Sequence, residues 1–200
     1  RQAKIIELIF SGEKIMANST FNGPVRSENG FEQVTITAGT GAETTNLDID
    51  SSGNITTTGY VSAYSNVSSI TAATKSVEST DSGTVYTLNR AAGIVVTLPT
   101  AVAGLNYTFI VGTTFTGAGQ INTDNSSDLF SGFAQLFDPA TATDTNTFIP
   151  DASDDDTIDL GSAGQGWLVG GVIRLVATSA AVWHCEAFLH GDGTLATPFE

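Results

Sequence analysis

From about residue 31 onward, apolar and polar side chains alternate with the period of two that marks strands buried on one face. Val34, Ile36 and Ala38 form one side of such a pattern, set against Glu32, Thr35 and Thr37. Leu47 and Ile49 continue it, Ser51-Ser52-Gly53-Asn54 predicts a turn, and Ile55, Thr57, Gly59 and Val61 return. The expected product is a small β-hairpin or meander with a narrow apolar face. Residues 16–30 lack periodicity and are rich in Asn, Ser and Gly, which predicts an extended arm anchored by Phe21 and Val25. Residues 62–74 read as a linker. A denser β pattern occupies the rest of the chain, with strands expected at 85–88, 94–98, 107–111, 129–136, 167–177, 182–189 and 195–199. Gly, Pro, Asn or Asp separates most of them, and Pro99 and Pro150 fall at strand ends, where a missing N–H costs little. No stretch carries the 3.6-residue period of a helix longer than a few turns. The expected fold is therefore all-β: an N-terminal arm and small meander over residues 16–74, then a jelly-roll-like β-sandwich over 75–200.

Composition sharpens this picture. The chain has 200 residues, 40% hydrophobic, with 11 Phe, so it can build a packed core and is not globally disordered. Charged residues make up only 14%, roughly half the usual share. Those charges are lopsided, 21 acidic against 7 basic, for a net charge of −14. Phosphate recognition needs clustered Lys and Arg, whereas Arg26, Lys75, Arg90 and Arg174 stand isolated, so nucleic acid is excluded as a partner. An anionic membrane surface would repel the chain for the same reason, and no apolar run approaches the ~20 residues of a membrane span.

Residues 1–15 differ in character from the rest of the chain and hold three of the seven basic residues, Arg1, Lys4 and Lys14. Gly12-Glu13 can be encoded by a purine-rich ribosome-binding sequence at a suitable distance before Met16. The expectation is that Met16 is the native first residue and 1–15 a translated leader; an amphipathic docking arm is the alternative.

Candidate chemistry is sparse. The acidic stretch Asp151, Asp154, Asp155, Asp156 and Asp159 offers carboxylate oxygens of the kind Ca²⁺ takes, although a solvated loop needs no ion. Asp48-Ile49-Asp50-Ser51-Ser52-Gly53 imitates the start of a calcium loop, but its twelfth position is Gly59 rather than Glu, so a hairpin is expected there. His184 and His190, the only histidines, lack partners at zinc-ligand spacing. By alternation His184 faces away from Trp183 and Cys185, toward a surface or subunit contact. Cys185 is the sole cysteine, so no internal disulfide forms; a buried strand position is expected for it. No Gly-x-Ser-x-Gly elbow and no phosphate-cradling loop followed by Lys is present, and neither an enzyme nor a cofactor is expected. Trp167, Tyr107 and Phe133 could stack on sugars if exposed, or simply fill a core.

Ser19-Thr20-Phe21-Asn22-Gly23-Pro24-Val25-Arg26-Ser27-Glu28-Asn29-Gly30-Phe31, followed by Leu47-Asp48-Ile49-Asp50-Ser51-Ser52-Gly53-Asn54-Ile55, resembles the start of virion structural proteins of marine tailed phages, especially cyanophages. The stretch Asp81 to Leu88, then Val96-Thr97-Leu98-Pro99 and Gly104 to Val111, is similar to their C-terminal β domain, as is the ending Gly191-Asp192-Gly193-Thr194-Leu195. These segments are strand-and-turn grammar, and no site residues come with them. The resemblance implies a particle component: a capsid decoration protein on the outer surface of the virion, bound to the major capsid protein. A head fibre or short tail fibre binding a host glycan is the alternative. A homo-oligomer is expected on energetic grounds, and the resemblance implies that it is a homotrimer, because such particle proteins sit at local threefold positions. Leu47, Ile49, Ile55 and Val61 bury about 6–10 kcal/mol even if fully covered, and ordering their sheet costs several times that. Some other surface must cover the face, and a cyclic oligomer offers several copies of one.

Overall fold

The computed structural model describes residues 31–36, 43–49, 55–57 and 65–200, apart from 142–143 and 152. The leader or arm at 1–15, Met16, the arm at 16–30 and the turn at 51–54 lie outside the described residues, as do Ala38, Gly59 and Val61. The described chain is all-β and divides into two units, one ending at Ala63 and one beginning at Tyr64.

In the first unit, β1 (Phe31–Ile36), β2 (Glu43–Ile49) and β3 (Ile55–Thr57) form an antiparallel sheet in the order β1-β2-β3. Gln33 lies opposite Leu47 and Val34 opposite Thr45, so Asn46 is an extra residue on β2 and bulges the ladder. Ile49 pairs with Ile55, and Ile55 is 60% exposed. This is the expected meander, with Ile55 exposed beside a half-buried Ile49.

The second unit holds two sheets. Seven strands form the larger: β4 (Val67–Ile70), β6 (Val85–Leu88), β8 (Asn106–Val111), β10 (Leu129–Phe137), β11 (Thr145–Phe148), β13 (Val172–Ala177) and β14 (Val182–His190). Their order is β11-β10-β14-β13-β8-β6-β4. The smaller sheet runs β12-β9-β7-β5, from β5 (Thr74–Ser76), β7 (Val95–Thr97), β9 (Gln120–Asn122) and β12 (Thr157–Asp159). Between residues 67 and 122 the chain alternates between the sheets, giving each one strand per circuit. Successive circuits stack in parallel, β4 on β6 on β8 and β5 on β7 on β9. Like side chains therefore lie over one another inside: Ile70 on Leu88 on Val111, Val96 on Ile121, and Tyr86 on Phe109 with rings 5.4 Å apart. The second half folds back mostly antiparallel, although β10 and β14 run in parallel.

One core joins the inward faces of both sheets. Tyr107, Phe109, Ile173, Leu175, Trp183 and Cys185 from the larger sheet and Val96, Ile121 and Ile158 from the smaller are all buried within it. Strict alternation along β14 puts Trp183, Cys185, Ala187 and Leu189 inside.

Four expectations need correction. The stretch 62–74 is not a linker throughout, because it supplies β4 and starts β5, each stacked on the next circuit, with Ile70 buried at 5% exposure. The strand expected at 167–177 begins only at Val172. Gly166 and Gly170 adopt φ of +105° and +98°, which turn the chain before it can pair. The strand expected at 195–199 reduces to one bridge, Phe199 to Ile158. Pro198 accepts from the Asp159 N–H but has no N–H to return. Finally, the all-antiparallel weave of a jelly roll describes only part of the pairing, since β4 to β9 stack in parallel.

Candidate functional site

Three places in the second unit carry the chemistry-bearing side chains, and the first two bring theirs together.

The first lies where β5, the 3-10 turn Ser79–Asp81, β6 and β8 meet. Asp81 Oδ2 accepts from the Tyr86 hydroxyl at 2.7 Å and from the Glu78 N–H at 3.3 Å, and Lys75 Nζ stands 3.6 Å away. Lys75 also sits 5.8 Å from the Tyr86 ring centre. The Tyr107 hydroxyl donates to the Glu78 carbonyl at 3.0 Å, so two buried tyrosines grip one turn. The Tyr86 bond, then the Glu78 N–H and the Lys75 charge, hold the Asp81 carboxyl below its ordinary value. Burial first, and Asp81 second, push the Tyr86 hydroxyl far up; burial, then Asp81 and Glu78, raise Tyr107 to about 12. Neither phenol ionises near neutrality, so the cluster is a clamp rather than an acid–base pair.

The clamp has a pH signature. A folded pKa below the unfolded one contributes stability above about pH 4, lost as pH falls through the folded value. Asp81→Asn keeps the acceptor but removes the charge, and is expected to cost about 1 kcal/mol at pH 7, a figure discounted for partial exposure. Below the folded pKa of Asp81, wild type carries a neutral acid of the same shape, and the gap should close. Thermal melts of both proteins at pH 7 and pH 2.5 check this; a gap that stays constant would show that charge plays no part.

The second place is the loop carrying Asp151, Asp154 and Asp155, which brings one oxygen from each carboxylate within 4.8 Å of the others. This is the donor set a hard cation takes, but the same oxygens already serve the loop. Asp151 Oδ1 accepts from the Ser153 N–H at 2.9 Å and its hydroxyl at 2.6 Å, while Asp155 Oδ2 accepts from the Asp151 N–H. The Ser153 bonds hold the Asp151 carboxyl down. Burial pushes the Asp155 carboxyl up, with the charges of Asp151, Asp154 and Asp156 adding to it against the Asp151 N–H bond. The backbone of the loop is fixed independently, through Phe130 N–H to the Asp155 carbonyl and Asp156 N–H to the Glu200 carbonyl, each at 2.9 Å. A loop so braced needs no ion, and ~1 mM Ca²⁺ is expected to move the melting temperature by less than a degree. A rise of several degrees, abolished by Asp154→Asn, would make it a metal centre. In the other calcium-like stretch, Asp48 lies within β2, opposite Glu32 and Thr56, as a strand position.

The third place is the outward side of β14. His184 is exposed, with Nδ1 3.4 Å from Ser131 Oγ, and His190 Nδ1 lies 3.1 Å from the Val169 carbonyl. Six residues apart on one strand, they are separated by ~20 Å and cannot share a metal ion. Cys185 points the other way into the core, where burial, with Glu186 adding, pushes its thiol up to about 12 and leaves it unreactive. Tyr107 is buried, Trp167 is half-buried against the core and Phe133 is half-buried on the outer sheet face, so of the three only Phe133 offers a ring to that face.

Sequence reasoning misses the two buried acids. Asp128 Oδ2 accepts from the Ala101 N–H at 2.8 Å, and Asp138 Oδ1 accepts from Ala140 N–H at 2.8 Å. The second is readable, because Asp-Pro after an apolar strand marks a side-chain-capped turn. The first spans 27 residues and has no local signature.

No family model matches the chain, and no curated protein matches its sequence.

Proposed function

We propose that this protein is a structural component of a tailed-phage particle, a homotrimeric capsid decoration protein seated on the major capsid protein at the outer surface of the head. The observation that carries the reading is the chain's division into two unequal β units. The first is a three-stranded sheet in which Ile55, paired with a half-buried Ile49, is left 60% exposed, a structure marginal in isolation. Such a sheet gains its order by docking, and the acidic balance of the chain suits a partner other than nucleic acid. We take the second unit to be a two-layer β-sandwich variant. The role is mechanical: each trimer adds buried area across seams between capsomers, which internal pressure tends to open. Cryo-electron microscopy of the particle tests the placement; density for this chain confined to the tail tip would refute it.

A receptor-binding fibre is the second reading, favoured by the half-exposed rings of Phe133, Phe137 and Phe188 on the outer face of the larger sheet, which could stack on sugars. Inhibition of host adsorption by the free protein, lost on Phe133→Ala, would establish it.

A further inference from the structure

Among the described residues of the second unit, the inward side chains of the larger sheet meet the smaller sheet, and its outward ones face away from that core. Several of those outward positions carry apolar side chains. Phe188 lies beside Val172, which lies beside Ile110, in one row across β14, β13 and β8. Phe133 meets Phe188 edge-on at 5.9 Å, Phe137 meets His190 at 6.4 Å, and Val176 is 43% exposed.

Charge distribution says what can cover this face. Of the chain's 21 acidic residues the seven strands hold one, Glu186, and of its 7 basic residues one, Arg174. The two lie opposite each other across β13 and β14, 3.4 Å apart, so the face is neutral. A chain of net charge −14 is repelled by its own copies almost everywhere. A neutral, partly apolar face whose one ion pair is closed within the chain is where that repulsion is least. Seven strands about 4.8 Å apart, each some 20 Å long, present on the order of 600 Å², close to the ~800 Å² per partner of a stable interface.

We infer that the outer face of the seven-stranded sheet is the surface through which copies of this chain associate, with Val176, Phe188 and the Arg174–Glu186 pair at its centre. This rests on the homotrimer reading and assigns its interface.

The experiment measures mass in solution at micromolar concentration, by light scattering on the full chain, for wild type and four variants. Val176→Asp and Arg174→Glu are expected to lower the mass from that of a trimer to the 20.7 kDa of one chain, with an unchanged far-UV spectrum. The double exchange Arg174→Glu with Glu186→Arg restores neutrality and is expected to restore the trimer. Val102→Asp alters an apolar side chain that is 57% exposed in the loop before β8, outside the seven strands, and should leave the mass unchanged. Trimers persisting in Val176→Asp and Arg174→Glu would overturn the interface and leave the homotrimer standing, as would dissociation by Val102→Asp to the same extent. A monomeric wild type would overturn both. Should a single variant unfold, the double exchange still decides, because a neutral face that fails to trimerise contradicts the assignment.

Discussion

Gly132→Ala is expected to destabilise the second unit by about 2–4 kcal/mol, although it adds one methyl group. Gly132 sits in the middle of β10, in register with Cys185 of β14, and has φ of +102°. That conformation is rarely adopted by a residue with a side chain. A Cβ at this place would lie 2.1 Å from the Cys185 carbonyl oxygen and 3.0 Å from its carbon. Both are backbone atoms of the neighbouring central strand, so relief requires either a rotation of Gly132 or a shift of β14. Either change breaks a ladder in which nine consecutive residues of β10 and β14 are paired. Denaturant titration checks the value. A midpoint within experimental error of wild type would mean that the kink at Gly132 is relaxed in solution.

The second large effect is expected at the centre of the core. Trp183→Ala should cost about 3–5 kcal/mol, a third or more of the stability of a typical domain. Trp183 is fully buried, pairs with Phe130 on one side and Ala177 on the other, and packs against Tyr107 with ring centres 5.8 Å apart. Its removal leaves a void between rigid strands that cannot close over it. Trp183→Phe separates volume from polarity. The indole Nε1 is buried and has no hydrogen-bond partner among the described residues, a desolvation cost of about 1–3 kcal/mol that phenylalanine does not carry. The phenylalanine variant is therefore expected to lose less than half of what the alanine variant loses. Equal losses in thermal or chemical unfolding would show that the N–H finds a partner in solution.

These two positions mark the boundary between what is local and what is not. Alternation from Val182 onward is enough to put Trp183 and Cys185 on one side and His184 on the other, because a strand's period of two needs no partner to be read. The same reasoning locates β6, β7, β8, β10 and β14 to within a residue or two. It fails for β5, β9 and β12, whose three residues each hold at most one apolar side chain, too few for a period to register. It also fails for β4 and β11, where Ser, Thr and Asn carry no apolar pattern.

Neither site chemistry nor strand direction is legible to the same degree. The acidic loop, the histidines and the lone cysteine are visible as residues. That Asp151 and Asp155 are engaged by Ser153 and the loop backbone, and that Tyr86 and Lys75 converge on Asp81, depends on turns that carry no spacing rule.

The sequence by itself determined that this chain is all-β, that its surface is acidic, and which residues of its longer strands face inward. Tertiary structure alone decided that β4 to β9 stack in parallel circuits shared between two sheets, and that Gly132 must remain without a side chain. It also decided that the sole acidic and sole basic residue of seven strands meet as one pair. The physical reason is the same in each case. Alternation is a property of one strand, whereas direction, register and charge pairing belong to two strands brought together from distant parts of the chain.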